Sequence, residues 1–411
     1  MHIRSSLASL GVLLSSTNIL PLIFAAAQQD TFGSVNTHQL LQPGEPGLHS
    51  NDNSTIAFAP WCYEPICTRV LDGIGSKLCV YTSKTFANNR GLSLFTTPEA
   101  SEKIAASAPF RTPDVLFENA VNVVEANWYT KLTSGKGFGM FAKADIQLGE
   151  KITANTPVLI AYTEGILPKS EREEFLRIAV DQLPATTRNS LLKLSNLYDD
   201  QDIPLQGIIS GNAFDLQIDG NGHLAVFPEA SRINHACSPN AQFRMESSLL
   251  SHYVHAVRSI GKDEEITIAY STPLELFDQR QRHLRQSFRF SCTCSRCSQG
   301  QEADEALLEI AELQQELSDW TPSSVASVKK AEKLVKIYQD LGLHGYIDPA
   351  YCHAALMYSS VGSLRGAQKY IDLATQANKL RLGPTASDLG ACNNMVNHPQ
   401  SHWSWRRRKP S

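Results

Sequence analysis

A chain of 411 residues exceeds what one hydrophobic core commonly organises, so two or three domains are expected. Hydrophobic residues make up 42% and charged residues 19%, a balance that excludes wholesale disorder. The formal net charge of -4 and a pI near 6.3 exclude a sequence-independent grip on nucleic acid, which needs a basic surface.

Residues 1–27 read as a secretory signal peptide. His2 and Arg4 give a short positive start, residues 7–27 are mostly apolar, and Ala25-Ala26-Ala27 offers small side chains for cleavage before Gln28. Ser15, Ser16, Thr17 and Asn18 interrupt the apolar run, which disfavours a stable membrane span, and no other segment approaches spanning length. The route implied is the secretory pathway; a nuclear or cytoplasmic location is the alternative. Asn53-Ser54-Thr55 is a glycosylation sequon. Residues 28–121 form a cysteine-containing N-terminal segment with no assigned role. Its first half, to residue 60, is rich in Gln, Asn, Ser, Gly and Pro and reads as a flexible arm. The denser part predicts a short strand at Cys79-Val80-Tyr81.

Residues 128–132 predict a strand entering the glycine loop Gly135-Lys136-Gly137-Phe138-Gly139, and residues 140–146 continue beyond it. Gly149 allows a turn before Ile152 and the apolar Val158-Leu159-Ile160. Ser170 predicts a cap for a helix from Glu171, with Phe175, Leu176, Ile178, Ala179 and Leu183 on its apolar face until Pro184. Leu191, Leu192, Leu194 and Leu197 suggest a second helix. Strand patterns return at 224–227, 242–245, 253–257 and 266–270, with a hairpin-like turn at Gly220 and Gly222.

Beyond Gly300 the pattern turns helical. Leu307, Ile310, Leu313 and Leu317 share one face, and Val325, Val328, Leu334, Val335 and Tyr338 make another. Tyr351, Ala354, Tyr358, Ala367, Ile371 and Ala374 match the spacing of one degenerate tetratricopeptide helix pair. From about Ala391 the pattern stops. Arg406-Arg407-Arg408-Lys409 reads as a solvated, frayed tail rather than a nuclear-localisation signal.

Four segments carry the chemistry, in order: the glycine loop at 135–139, Asn234-His235-Ala236-Cys237-Ser238-Pro239-Asn240, Glu264-Glu265-Ile266-Thr267-Ile268-Ala269-Tyr270, and Cys292-Thr293-Cys294-Ser295-Arg296-Cys297. On its own the Cys-x-Cys-x-x-Cys run is compatible with metal binding, redox activity or a disulfide. Of nine cysteines, Cys62, Cys67, Cys79, Cys352 and Cys392 lie outside these segments, an odd remainder that leaves at least one unpaired.

Together the four segments resemble the signature of SET-domain protein lysine methyltransferases of the MYND-bearing branch, here without the MYND finger. The resemblance implies an α+β fold: a β-rich SET domain with a pseudoknot at 122–285, a helical insertion at 163–210, a zinc-bound post-SET segment at 286–298, an all-α TPR-like lobe at 299–390 and a tail at 391–411. It implies methyl transfer from S-adenosylmethionine to a lysine side chain of a protein substrate. Lys136, Gly137 and Phe138 would contact the methionine part of the cofactor through their backbone. Asn212, the Asn234 amide and His235 would also contact it, and Phe290 would pack on its adenine side. Tyr270 would lie beside the transferring methyl as the catalytic residue, touching cofactor and amine alike. Cys237, 55 residues before Cys292, would complete a structural zinc site with Cys292, Cys294 and Cys297. Pro239 and Asn240 would hold the bend; Glu264 and Glu265 would turn and solvate the strand entrance. A secreted, catalytically silent SET-like binding protein and a SET fold redirected to a small molecule stand as alternatives.

Overall fold

Short apolar runs bounded by glycine and proline assemble into three sheets, described here from a computed structural model covering residues 58–123, 126–163, 165–198 and 200–408. The expected leader, the sequon, most of the arm and Lys409 lie outside the described residues.

The first sheet has six strands in the order Ile66–Cys67, Cys79–Ser83, Leu92–Thr96, Leu159–Tyr162, Asn221–Val226 and Ala213–Ile218. Its centre is a parallel pair, Leu92–Thr96 beside Leu159–Tyr162, with every residue of both strands buried. Continuous burial explains why neither strand alternates polar and apolar residues. The segment before residue 122, given no role by its sequence, therefore supplies half of this sheet. A disulfide joins Cys67 to its strand partner Cys79, and Cys62 stays a free thiol. Asp219 and Gly220, both at positive φ, make the two-residue turn between the last two strands. Gly222 lies inside the strand instead, where a Cβ would come within 2.8 Å of Thr163 Cγ2.

The helix Lys169–Asp181 covers this sheet through Leu176, Ala179 and Val180. It starts two residues before the expected position. Pro168 is its N-cap and its carbonyl accepts the Arg172 N–H, so Ser170 falls inside the first turn and caps nothing. The next helix spans Ala185–Leu192, ahead of the expected leucine cluster, and Pro204–Asn212 forms a third.

The second sheet is ordered Asn234–His235, Glu265–Ile268, Gly137–Ala142 and Trp128–Thr133; the third, Ala241–Glu246, Ser251–Ala256 and Lys151–Asn155. Met140, Ile146, Ile152, Ile233, Val254, Ile266 and Ile268 form a shared core between them.

Helices Glu302–Ser318, Val328–Asp340, Asp348–Ser360 and Leu364–Leu382 bury a separate core around Leu313, Leu334, Tyr338, Met357 and Ile371. The terminal basic run corrects the expectation of a frayed tail. Arg406 and Arg408 donate main-chain N–H groups to Ser359 and Ser360 carbonyls, and the Arg408 guanidinium lies 4.8 Å from the centre of the Trp320 ring. Trp403 packs edge-on against the same Trp320, and a Cys352–Cys392 disulfide anchors the segment upstream. Aromatic area and a covalent tie offset the entropy of ordering a polar tail. Among the described residues no helix is long and apolar enough to cross a membrane.

Candidate functional site

The site is built where a two-residue strand is pressed against the end of a longer one. Asn234 and His235 run parallel to Glu265–Ile268, with Asn234 opposite Thr267 and His235 opposite Ile268. So short a strand needs help from side chains. Asn240 provides it: its amide donates to Glu265 O at 2.8 Å and to Glu264 Oε1 at 3.0 Å, and its Oδ1 accepts the Thr267 N–H at 2.8 Å. At the other end the Ala236 N–H reaches Ile268 O at 3.0 Å, and the Tyr270 hydroxyl donates to Ile233 O at 2.6 Å. Asn240 thus does more than hold a bend; it bolts residues 234–240 onto residues 264–270.

Glu265 corrects the sequence reading, which placed it at a solvated strand entrance. Its carboxylate accepts the Asn234 amide at 2.8 Å and lies 3.6 Å from Lys136 Nζ. The antiparallel partner strand is Gly137–Ala142, and Gly139 faces the same two side chains. A Cβ there would stand 2.7 Å from Glu265 Oε1 and 2.9 Å from Asn234 Nδ2, so only glycine lets the strand approach. Glu264 sits one residue earlier and is occupied by Arg258 and the Gly261 N–H. Lys136 and Phe138 stand at the exposed rim, where the Arg232 guanidinium lies over the Phe138 ring.

His235 is buried and links two halves of the site. Its Nδ1 accepts the Tyr270 N–H at 2.9 Å, which requires the proton on Nε2, facing Cys237 Sγ at 3.2 Å. Burial, opposed by the charge of Cys294, drives the imidazole down to about 4, so it is neutral at physiological pH. Tyr270 is shifted the other way. Burial, with a smaller contribution from the Glu265 charge, pushes the phenol well above its ordinary range and keeps it protonated. Its ring packs 4.9 Å from Phe288 and 6.5 Å from Phe290, and Phe290 lies 6.1 Å from His235. Asn212 stands apart from this group: both its amide protons go to main-chain carbonyls, those of Ser195 and Ile208.

Four sulfurs meet behind His235. Those of Cys237, Cys292, Cys294 and Cys297 all lie within 4.8 Å of one another, and Cys237 and Cys297 approach to 3.4 Å. Contacts from Cys237, Cys292 and Cys297 hold the Cys294 thiol far below its ordinary range, while contacts from Cys292, Cys294 and Cys297 push Cys237 up. Gln281 braces the cluster by bonding both the N–H and the carbonyl of Cys292. One soft donor from each of four residues, closed off by protein, suits a structural zinc ion. Sequence reasoning found the four cysteines and misplaced Glu265, and it missed Gln281 and Phe288, neither of which belongs to a local spacing pattern.

Residues 137–271 match the SET domain family model. Histone-lysine N-methyltransferase set5 of Schizosaccharomyces pombe is 28% identical over 274 residues, covering 65% of this chain and 82% of the relative. Histone-lysine N-methyltransferase ASHR1 of Arabidopsis thaliana is 41% identical over 75 residues, 18% of this chain and 15% of the relative. N-lysine methyltransferase SMYD2-A of Danio rerio is 33% identical over 104 residues, 25% of this chain and 23% of the relative. The chain thus spans most of the first relative and under a quarter of the other two.

Proposed function

The chain belongs to the SET-domain protein lysine methyltransferases, and on that premise we propose that it moves a methyl group from S-adenosylmethionine to the side-chain amine of a lysine in a protein substrate. The observation that carries this is the bolting of Asn234–Asn240 onto Glu264–Tyr270, which gathers the glycine strand, Asn234, His235 and Tyr270 in one place.

The residues suit the cofactor. Gly139 leaves room that any side chain would fill, and Asn234 Nδ2 donates to Glu265 and, at 3.5 Å, to the Thr133 hydroxyl, so the Asn234 oxygen is left as an acceptor for an ammonium group. Lys136, Gly137 and Phe138 would follow the same ligand along the rim, with Phe290 closing over its adenine side; Asn212 would support this wall. S-adenosylmethionine supplies a methyl on a positive sulfur, open to in-line attack. The protein's task is then to hold the lysine amine in line and to keep it neutral, although a free lysine titrates near about 10.4. Tyr270, Phe288 and Phe290 offer an apolar wall that disfavours an ammonium. The Tyr270 hydroxyl already donates its hydrogen bond to Ile233 O, so its oxygen is left to accept an N–H of the amine. It orients the nucleophile rather than acting as a base.

The same reading gives zinc to Cys237, Cys292, Cys294 and Cys297, tying the core to a post-SET segment at 286–298. It takes 122–285 as the SET unit with its pseudoknot, 163–210 as the helical insertion and 299–390 as a TPR-like lobe that helps shape the substrate cleft. We place the protein in the secretory pathway. The pattern of residues 1–27 and two disulfides, Cys67–Cys79 and Cys352–Cys392, support that route. The mature N-terminus from native cells tests it: an intact Met1 or Ala26-Ala27 argues for the nuclear or cytoplasmic alternative.

The catalytic reading is tested by incubating the full chain with isotopically labelled S-adenosylmethionine and a panel of lysine-bearing proteins. Label should enter protein with the wild type and be lost with Tyr270→Phe. Absence of cofactor binding, together with no effect of that substitution on any transfer, would refute it. The comparisons lend no support to the silent-binder or small-molecule alternatives.

A further inference from the structure

Two arginines lie against the four-sulfur cluster, and methyl transfer explains neither. Arg280, on the helix Phe277–Phe288, is 0% exposed, and Arg296, between Cys294 and Cys297, is 3% exposed. No carboxylate among the described residues pairs with either guanidinium. Arg280 gives one N–H to Glu275 O; Arg296 gives Nη1 to Cys237 O at 3.1 Å and to Pro273 O at 2.6 Å. On both residues Nε and Nη2 are buried with no hydrogen-bond partner. Geometry ties both to the cysteines: Arg296 bonds the Cys237 carbonyl, and Gln281, next to Arg280 on the same helix, bonds Cys292; the charges of Cys237 and Cys297 act on both guanidiniums.

A buried guanidinium without a counter-charge is costly, and two side by side repel each other as well. The possible states of the cluster differ sharply in how they meet that cost. Four neutral thiols leave both positive charges unbalanced. Two disulfides among the same sulfurs leave them equally unbalanced. Four thiolates around a divalent cation carry a double negative charge, which two guanidiniums cancel. Of these three states, only the last makes the interior neutral.

We infer that Arg280 and Arg296 are the charge partners of a tetrathiolate metal centre and set its affinity for a divalent cation. This rests on the zinc reading above. It also gives a physical reason for the cysteines to divide as they do. Cys67 with Cys79 and Cys352 with Cys392 form disulfides in the same chain, whereas the four sulfurs beside the arginines are held as a ligand set.

The test uses the purified full chain, zinc chloride and a chromophoric chelator in competition, with metal content measured by mass spectrometry. The wild type should carry one zinc. R280Q and R296Q should each bind zinc about 10- to 100-fold more weakly, the range for residues that support a metal's ligands. Cobalt substitution should still give the thiolate charge-transfer band in the variants, which separates a lost counter-charge from a lost ligand. R280K keeps the charge and should bind nearer to wild type than R280Q does; if R280Q fails to fold, R280K against wild type decides. Zinc affinity unchanged in both glutamine variants, or R280K as weak as a charge-free variant, would overturn the assignment while leaving the zinc site standing. A wild type that neither carries nor binds zinc removes the site itself, and the arginine assignment with it.

Discussion

Replacing Glu265 with alanine should weaken cofactor binding through Asn234 rather than through lost charge at the rim. The substitution removes an acceptor 2.8 Å from Asn234 Nδ2 and a carboxylate 3.6 Å from Lys136 Nζ. A hydrogen bond to an ionised group is worth about 1.5–3 kcal/mol, whereas an ion pair as exposed as that of Lys136 adds roughly 0–1 kcal/mol. The first contribution dominates, because without Glu265 the Asn234 amide is free to turn and present its protons to an ammonium. The loss corresponds to about a 10- to 100-fold weaker dissociation constant. Calorimetric titration with S-adenosylhomocysteine measures it. A double-mutant cycle then assigns the route: in an Asn234→Ala background, Glu265→Ala should change little. Full additivity of the two substitutions, or an unchanged affinity in the single variant, would show that Glu265 does not work by orienting Asn234. Glu265→Gln should fall between, since its carbonyl oxygen can still accept.

Tyr270→Phe should lower the transfer rate about a hundredfold through loss of amine alignment while leaving S-adenosylhomocysteine affinity within a few-fold. Because the phenol titrates above its ordinary range, raising the pH from neutral toward alkaline should produce no loss of rate from Tyr270 ionisation; a descending limb that Tyr270→Phe abolishes would contradict this. His252, enclosed by Phe214, Phe227 and Phe243, is driven by burial down to about 3. A histidine depressed in the folded state is protonated first in the unfolded chain, so its contribution is present above the unfolded value near about 6.5 and is lost as pH falls below it. Denaturant melts at pH 7 and pH 4 should show His252→Phe gaining about 3 kcal/mol relative to wild type over that interval; an equal acid loss in both proteins would exclude the histidine. Cys352→Ala should destabilise the helical lobe by about 4 kcal/mol, the chain-entropy value for a closed loop of 40 residues, and its thermal melt should match that of Cys392→Ala. Stripping metal with a strong chelator should lower the melting temperature of the wild type, with zinc restoring it and magnesium not.

Strands 128–133, 241–246 and 251–256 and the helices beyond residue 302 were legible because each depends on spacing within a few residues, whereas the gathering of Asn234, His235, Tyr270 and the four cysteines was implied only by the resemblance. Periodicity says which face of a segment is apolar, and a proline or glycine says where it stops. The N-terminal strands were only half visible. Leu92–Thr96 is buried on both faces, and such a run shows no alternation from which a strand can be inferred.

Sequence alone determined the donor types, the glycine loop and the order of the motifs, since those are properties of residues close together along the chain. Tertiary structure decided which charges meet. Glu265 serves Asn234 because the parallel register, which sets Asn234 opposite Thr267, leaves the Glu265 carboxylate within reach of the Asn234 amide. Arg280 serves the sulfurs because its helix is joined to the cysteine run, where Gln281 bonds Cys292. Arg408 is held by a tryptophan 88 residues before it in the chain. Electrostatic and aromatic contacts act through distance in space, and pairs far apart in the sequence leave no local pattern by which they could be read.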